Sequence, residues 1–180
     1  VENKTDKTIP YEGRFIRIVV DNGWEYAERT VGKRIAIIAP VLVSDSGKYL
    51  VVIREFRVAL NKYVVSCPAG LIGDIDNEES MEAGALRELE EETGYRGRLR
   101  YITHGPPSAG MSNEVIHFYV ADQLVKVGNG GGDSTENIEV ILVPLDQVTS
   151  WLEEAAKRSD QLVDPKIYVG LYYTTLLDLL

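Results

Sequence analysis

The stretch from Gly73 to Tyr95 constrains this chain more than any other. From Glu79 to Thr93 it carries a helical period, with Met81, Ala85, Leu86 and Leu89 recurring on one side. Gly94 follows, where a left-handed cap ends a helix. The same helix would bring Glu88, Glu91 and Glu92 together at i, i+3 and i+4, within the run Glu88, Glu90, Glu91, Glu92 that follows Arg87. Like charges so placed repel by a few tenths of a kcal/mol per pair, roughly. On its own such a face is also what a solvated acidic helix presents. The cost has a use if something positive sits against the carboxylates. Oxygen-only donors suit hard divalent cations, Mg²⁺ above all with Mn²⁺ as a substitute, and Mg²⁺ held by a few carboxylates implies a phosphate substrate.

Around this helix the sequence predicts mostly strands. Residues 1–10 are polar and read as loosely ordered. RFIRIVVDNGWEYAERT alternates around Asp21-Asn22-Gly23, a hairpin signal. RIAIIAPVLV and KYLVVIREF are β-branched runs separated by a turn, and KYVVSCPAG is a further short strand ending at Pro68. Strands are expected at RLRYIT, VIHFYVA and IEVILVPL, and helices over LDQVTSWLEEAAKRS and PKIYVGLYYTTLLDLL. VGNGGGDSTEN reads as a mobile glycine-rich loop. The expected fold class is α+β, a mixed sheet between helices.

With 180 residues the chain has the size of one domain. A net charge of −9 leaves no basic stripe for a polyanion, so a nucleic-acid partner is disfavoured. One cysteine, Cys67, excludes an intrachain disulfide framework and fits a reducing cytoplasm. No apolar run is long enough for a membrane span, and VENKTDKTIP is too polar for a signal peptide.

The helix segment also fits the pattern Gly-x5-Glu-x7-Arg-Glu-U-x-Glu-Glu-x-Gly-U, with U apolar or aromatic, through Gly73, Glu79, Arg87, Glu88, Leu89, Glu91, Glu92, Gly94 and Tyr95. In this it resembles the Nudix box, the signature of hydrolases that cleave nucleoside diphosphates linked to another moiety. WEYAERT at 24–30, REFR at 54–57, PAGLI at 68–72, SNE at 112–114 and DPKIY at 164–168 extend the resemblance, in order, to the ADP-ribose pyrophosphatase branch. The resemblance implies a Nudix fold, an α/β/α arrangement with an N-terminal hairpin extension over residues 1–33 for dimerisation and base binding. Residues 34–180 are then the catalytic domain. It implies hydrolysis of ADP-ribose, or another nucleoside diphosphate sugar, by a homodimer using Mg²⁺ or Mn²⁺.

Carried over residue by residue, the resemblance makes Glu88 and Glu92 the principal metal ligands, with Glu91 close by and the Ala69 carbonyl as a backbone ligand. Arg87 orients a box glutamate, a task for a planar fork, and Glu79 assists without binding metal. The proton-accepting carboxylate lies outside the box, and both Glu114 and Glu136 qualify. Glu136 is slightly favoured, as metal ligand or base, because a glycine-rich lid precedes it. Trp24 and Glu25 are expected to hold adenine across the dimer, by stacking and by accepting from the exocyclic amine. Arg29 and Arg57 are expected to face phosphates or the terminal ribose; Arg54 is assigned only to the surface. His104 and His117 lack metal-ligand spacing with each other or with Cys67, and His117 reads as a half-buried strand residue.

Two departures bear on the sugar. Ser66 stands where many branch members place a glutamate, and the loop before Glu79 is longer, with Asp74, Asp76 and Asn77 added. The opening glycine of the box is Gly70 by position after the carbonyl ligand and Gly73 by spacing. GDP-mannose or a broad range of nucleotide sugars is the alternative substrate class. A sensor that binds ADP-ribose without cleaving it is the alternative of another kind, disfavoured by the intact Glu88, Glu91 and Glu92.

Overall fold

The computed structural model describes residues 6–31, 34–73, 78–132 and 136–177. The first three strands, β1 (Lys7–Glu12), β2 (Ile16–Asp21) and β3 (Trp24–Arg29), form an antiparallel sheet of their own. Asn22 and Gly23 turn β2 into β3 with φ of 48° and 82°, the paired positive values that an Asn-Gly hairpin turn requires. The expectation of a loosely ordered start is corrected from Lys7 onward. β1 pairs with the free edge of β2, at Lys7↔Asp21 and Glu12↔Arg17, because backbone pairing compensates for side chains that are exposed throughout. Residues 1–5 of that expectation lie outside the described residues.

The chain then runs through β4 (Arg34–Ser44), β5 (Gly47–Arg57), β6 (Lys62–Ser66), β7 (Ala69–Ile72), α1 (Met81–Thr93), β8 (Tyr95–Gly105), β9 (Val115–Lys126), β10 (Glu139–Pro144), α2 (Val148–Lys157), β11 (Gln161–Val163) and α3 (Lys166–Leu176). The main sheet has the order β11-β6-β5-β4-β9-β8, with β10 added to β5 and β7 to β4. It is mixed, since β4 runs parallel to β9 and β11 parallel to β6, and the other pairings are antiparallel. Strand alternation divides the apolar residues between two cores. Ile37, Ala39, Val41, Phe118 and Val120 pack with Leu152 of α2 and Ile167 of α3. Ala36, Ile38, Tyr119 and Ala121 pack with Ala85 and Leu89 of α1. Both faces of β4 are therefore covered, which is why its sequence is continuously apolar. Each fully buried Ile, Val, Leu or Phe among these contributes about 1.5–3 kcal/mol by burial. The layers are those expected, helices on both sides of a mixed sheet.

α1 begins at Met81 rather than at Glu79. The Ser80 hydroxyl accepts from the Ala83 amide at 3.1 Å and caps the first turn, leaving Glu79 outside the helix. At the other end Gly94 adopts φ 71°, and its amide donates to the Glu90 carbonyl. The amides of Gly132 and Gly131 donate to the Glu91 and Glu92 carbonyls at 3.0 and 2.9 Å, and Lys126 Nζ to Thr93 O at 2.8 Å. Every final carbonyl of α1 is thereby satisfied. The described part of the glycine-rich loop is accordingly docked on the helix rather than mobile. A Cβ on Gly94 would lie 2.3 Å from Gly128 O, and one on Gly130 2.5 Å from Thr93 C, so the backbones meet only as glycines. Asp133, Ser134 and Thr135 lie outside the described residues.

Two further expectations are corrected. The strand expected to end at Pro68 stops at Ser66; Pro68, without an N–H, turns the chain, accepts from the Ile38 amide at 2.9 Å, and β7 then pairs with β4. Arg54, read as a surface charge, has a side chain only 18% exposed. It donates to Gln161 at 2.8 Å and Glu139 at 3.0 Å, with its guanidinium 3.8 Å above the Tyr63 ring. It clamps β5, β6, β10 and β11 together. No helix among the described residues is long and apolar enough to cross a membrane.

Asp122 on β9 is buried and accepts from Arg98 Nε and Nη2, both at 2.9 Å, and from Arg100. Hydrogen bonding from Arg98, followed by that from Arg100, holds its carboxyl below the usual value of 3.8. A lowered folded pKa contributes stability that is present above the unfolded value and lost as pH falls through the folded one. Thermal melts should therefore drop as pH falls through and below the ordinary aspartate value of 3.8, and Asp122→Asn should be less stable at neutrality with a shallower acid slope. An unchanged slope in that variant would remove Asp122 from the acid response.

Candidate active site

The acidic side of α1 packs against β7, and the two together border a cavity of about 580 Å³. One wall is anionic, with Glu88, Glu91 and Glu92 of α1 and Glu136 from the segment before β10. Arg29 of β3, Arg57 at the end of β5 and Lys166 at the start of α3 are cations on the same cavity. Ile35, Ile37, Ile116, Ala69 and Gly70 supply the apolar and backbone surface between them.

Glu92 is the most deeply placed of these acids, 3% exposed, and accepts from the Ala69 amide at 2.9 Å. Burial pushes its carboxyl up to about 8; the Ala69 amide opposes this, and the negative charges of Glu88, Glu136 and Glu55 add to it. Glu88 lies directly over Gly70, where a Cβ would stand 2.0–2.3 Å from the carboxylate. Gly73 serves differently, adopting φ 78° and donating its amide to Glu79 Oε2 at 3.1 Å. Each of the two candidate box glycines thus has its own physical requirement. Asp74, Asp76 and Asn77 of the longer loop lie outside the described residues.

Arg87 organises the acids. Its Nε donates to Glu79 Oε1 at 2.9 Å, Nη1 to Glu88 at 2.8 Å and Glu91 at 2.9 Å, and Nη2 to the Leu71 carbonyl at 3.1 Å. Hydrogen bonding from Arg87 lowers the Glu79 carboxyl below its ordinary range, with help from the Gly73 amide. Glu90 turns away and pairs with Arg96. Among the described residues no three His, Cys, Asp or Glu side chains already converge as a cation cage. The donor chemistry nonetheless fits a hard divalent cation. The acids are oxygen ligands, and burial, with repulsion from Glu88, Glu136 and Glu55 added to it, holds Glu92 toward protonation, which a cation would oppose. Glu88, Glu92, Glu91, Glu136 and the Ala69 carbonyl are the groups that would hold it.

The two candidate proton acceptors differ in setting. Glu114 is ion-paired with Arg29 at 2.5 Å, on a loop joined to the N-terminal sheet by Ala27 N–H to Met111 O at 2.8 Å. In the same joint Asn113 donates to Glu28 at 2.8 Å, and Glu28 is paired with Arg17. Glu136 is exposed and belongs electrostatically to the acidic wall, since its charge raises both Glu92 and Glu55. Trp24 and Glu25 do not line the cavity, and Trp24 is 80% exposed on the outer sheet.

Three residues at or beside this site escaped the sequence reading although both motifs carrying them were in view. Glu55 of REFR is held above the ordinary carboxyl range by burial. Arg57 Nη2 stands 2.8 Å from its Oε2 as an ion pair, but without hydrogen-bond alignment, so that buried oxygen has no hydrogen bond. Asp164 and Lys166 of DPKIY line the cavity and pair with each other at 2.6 Å. Cys67 also borders it, but burial pushes its thiol up to about 12, so it is no nucleophile at neutral pH. His104 and His117, distant in sequence, stack across β8 and β9 with ring centres 5.5 Å apart, away from the cavity lining.

A model of the NUDIX domain matches residues 32–164. The chain is 31% identical to a "Methanol dehydrogenase activator" of Bacillus methanolicus, over 97% of this chain and 94% of that one. It is 32% identical to an "ADP-ribose pyrophosphatase" of Bacillus subtilis (strain 168), over 95% and 93% respectively. Among solved structures, one titled "Crystal structure of ADP compounds hydrolase" superposes with a TM-score of 0.70 at 22% identity, covering 95% of this chain and 93% of that one, a likeness of fold.

Proposed function

Taking as premise that this chain belongs to the NUDIX family and is a Nudix hydrolase, we propose that it hydrolyses the pyrophosphate bond of nucleoside diphosphate sugars, with ADP-ribose, cleaved to AMP and ribose 5-phosphate, as the preferred substrate. The observation that carries this is the polarised cavity, in which the carboxylates of Glu88, Glu91, Glu92 and Glu136 share a site with the cationic side chains of Arg29, Arg57 and Lys166. A pyrophosphate needs both: cations for its oxygens, and acids for the metal and for the proton of attacking water.

A bound Mg²⁺ would supply Lewis acidity toward the phosphates and lower the pKa of water. The rest falls to the chain. Arg57 and Arg29 orient phosphate oxygens, Arg29 exchanging its bond to Glu114 for one to the ligand. Glu136 takes the proton from the attacking water, a role supported by its place on the acidic wall and by the engagement of Glu114 with Arg29. Arg87 and Glu79 hold the carboxylates in place. The N-terminal sheet, within residues 1–33, serves dimerisation, and Trp24 and Glu25 reach adenine from the second subunit, in keeping with their exposure away from their own cavity. The protein works in the cytoplasm.

Phosphate release in a coupled phosphatase assay tests this. With Mg²⁺, kcat/KM for ADP-ribose should exceed that for GDP-mannose by about tenfold or more, a difference of about 1.4 kcal/mol. The reverse order would move the substrate to GDP-mannose. Tight ADP-ribose binding without release from any nucleotide sugar would make the protein a sensor. Glu136→Gln should cost more rate than Glu114→Gln.

A further inference from the structure

We propose that Lys166 is a specificity-determining residue that binds the sugar-phosphate half of the nucleotide sugar; this rests on the pyrophosphatase reading of the cavity. The cavity has two ends, set by the sheet order. Arg29, Glu114 and Ile116 lie at its β9 side, and the ion pair of Arg29 with Glu114 ties that side to the N-terminal sheet. Arg57, Ser66 and Lys166 lie at the β5–β6 side. β9 and β6 are three strand spacings apart in the order β6-β5-β4-β9, about 14 Å. That distance suits a pyrophosphate with a group at each end. With the nucleoside at the Arg29 end, the other half of the substrate ends at Lys166.

The local structure holds an ammonium ready there. Lys166 opens α3, where a positive charge opposes the helix dipole and is unfavourable for folding. Asp164 offsets this twice, accepting the Lys166 amide at 2.9 Å through Oδ1 and standing 2.6 Å from Nζ through Oδ2. Its own position is set by its amide, which donates to Val65 O at 2.9 Å and joins the start of α3 to the end of β6. The neighbouring position on β6 is Ser66, a neutral side chain that adds no competing carboxylate. The lysine side chain remains 36% exposed. Its ammonium thus has donors for sugar hydroxyls in the substrate and for the phosphate of the released product.

Calorimetric titration of the intact chain with Mg²⁺, using ribose 5-phosphate and AMP separately, tests the assignment. Lys166→Gln should weaken ribose 5-phosphate by about tenfold and AMP by less than about twofold, while Lys166→Arg keeps most of the affinity. Equal weakening of both products would mean a structural role and overturn the proposal. So would unchanged ribose 5-phosphate binding in Lys166→Gln, or no measurable binding by a wild type that cleaves ADP-ribose; in these cases the functional reading stands. A wild type that cleaves no nucleotide sugar overturns that reading, and this inference with it.

Discussion

Glu92→Gln should lose about 10²–10³-fold in kcat, while the metal-free protein stays at least as stable as wild type. On the proposed reading the lost term is the anchoring of a Lewis acid, which would be worth several kcal/mol, and each 1.36 kcal/mol is about tenfold in rate. The fold should survive because glutamine keeps the volume and can still accept from the Ala69 amide, which Glu92 engages at 2.9 Å. The variant also removes the cost of taking an ionisable carboxyl, charged in the unfolded chain, into a site where it is 3% exposed beside other acids. Steady-state rates at saturating Mg²⁺, with thermal melts in chelator, read the two effects separately. A near-normal rate would take Glu92 out of the metal site. A large drop in melting temperature would make it a structural residue instead.

Replacing Arg87 should damage both stability and rate. Arg87→Met leaves Glu79 and Glu88, whose side chains are 13% and 12% exposed, without the guanidinium that pairs them. Breaking a buried ion pair from one side costs about 3–5 kcal/mol, and the partial exposure here places the expected loss nearer about 2–3. The rate should fall by about 10²-fold, because Glu88 and Glu91 lose the donor that sets their positions. Arg87→Lys should recover part of the stability and little of the rate, since one ammonium cannot reproduce a fork reaching Glu79, Glu88, Glu91 and Leu71 O. Urea unfolding and kcat on the same preparations measure this. A lysine variant with full activity would show that only the charge matters.

Which parts of this protein were legible in the sequence follows from how local each determinant is. The helical period, Gly94 at the end of α1 and the Asn22-Gly23 turn are decided by neighbours within a few residues, and each appears where the sequence placed it. The Lys7–Glu12 strand was missed because its reason is the edge of β2, not its own composition. Arg54 was misread for the same cause, its partners Gln161 and Glu139 being far along the chain. Glu55, Asp164 and Lys166 stood in recognised motifs, yet nothing local could say that the end of β5 and the start of α3 border the cavity beside the acidic helix.

By itself, then, the sequence determined the acidic helix, its arginine and its glycine stop, and through them the chemical class of the protein. Those features depend on spacing along one helix, where i+3 and i+4 positions must share a face. Only the tertiary structure decided what the acids face. It laid Glu88 on Gly70, buried Glu92 against Ala69, docked the glycine loop on the end of α1 and brought Arg57 and Lys166 to the same cavity. Burial and the approach of distant charges exist only once the chain has packed, and they turn a row of glutamates into a site.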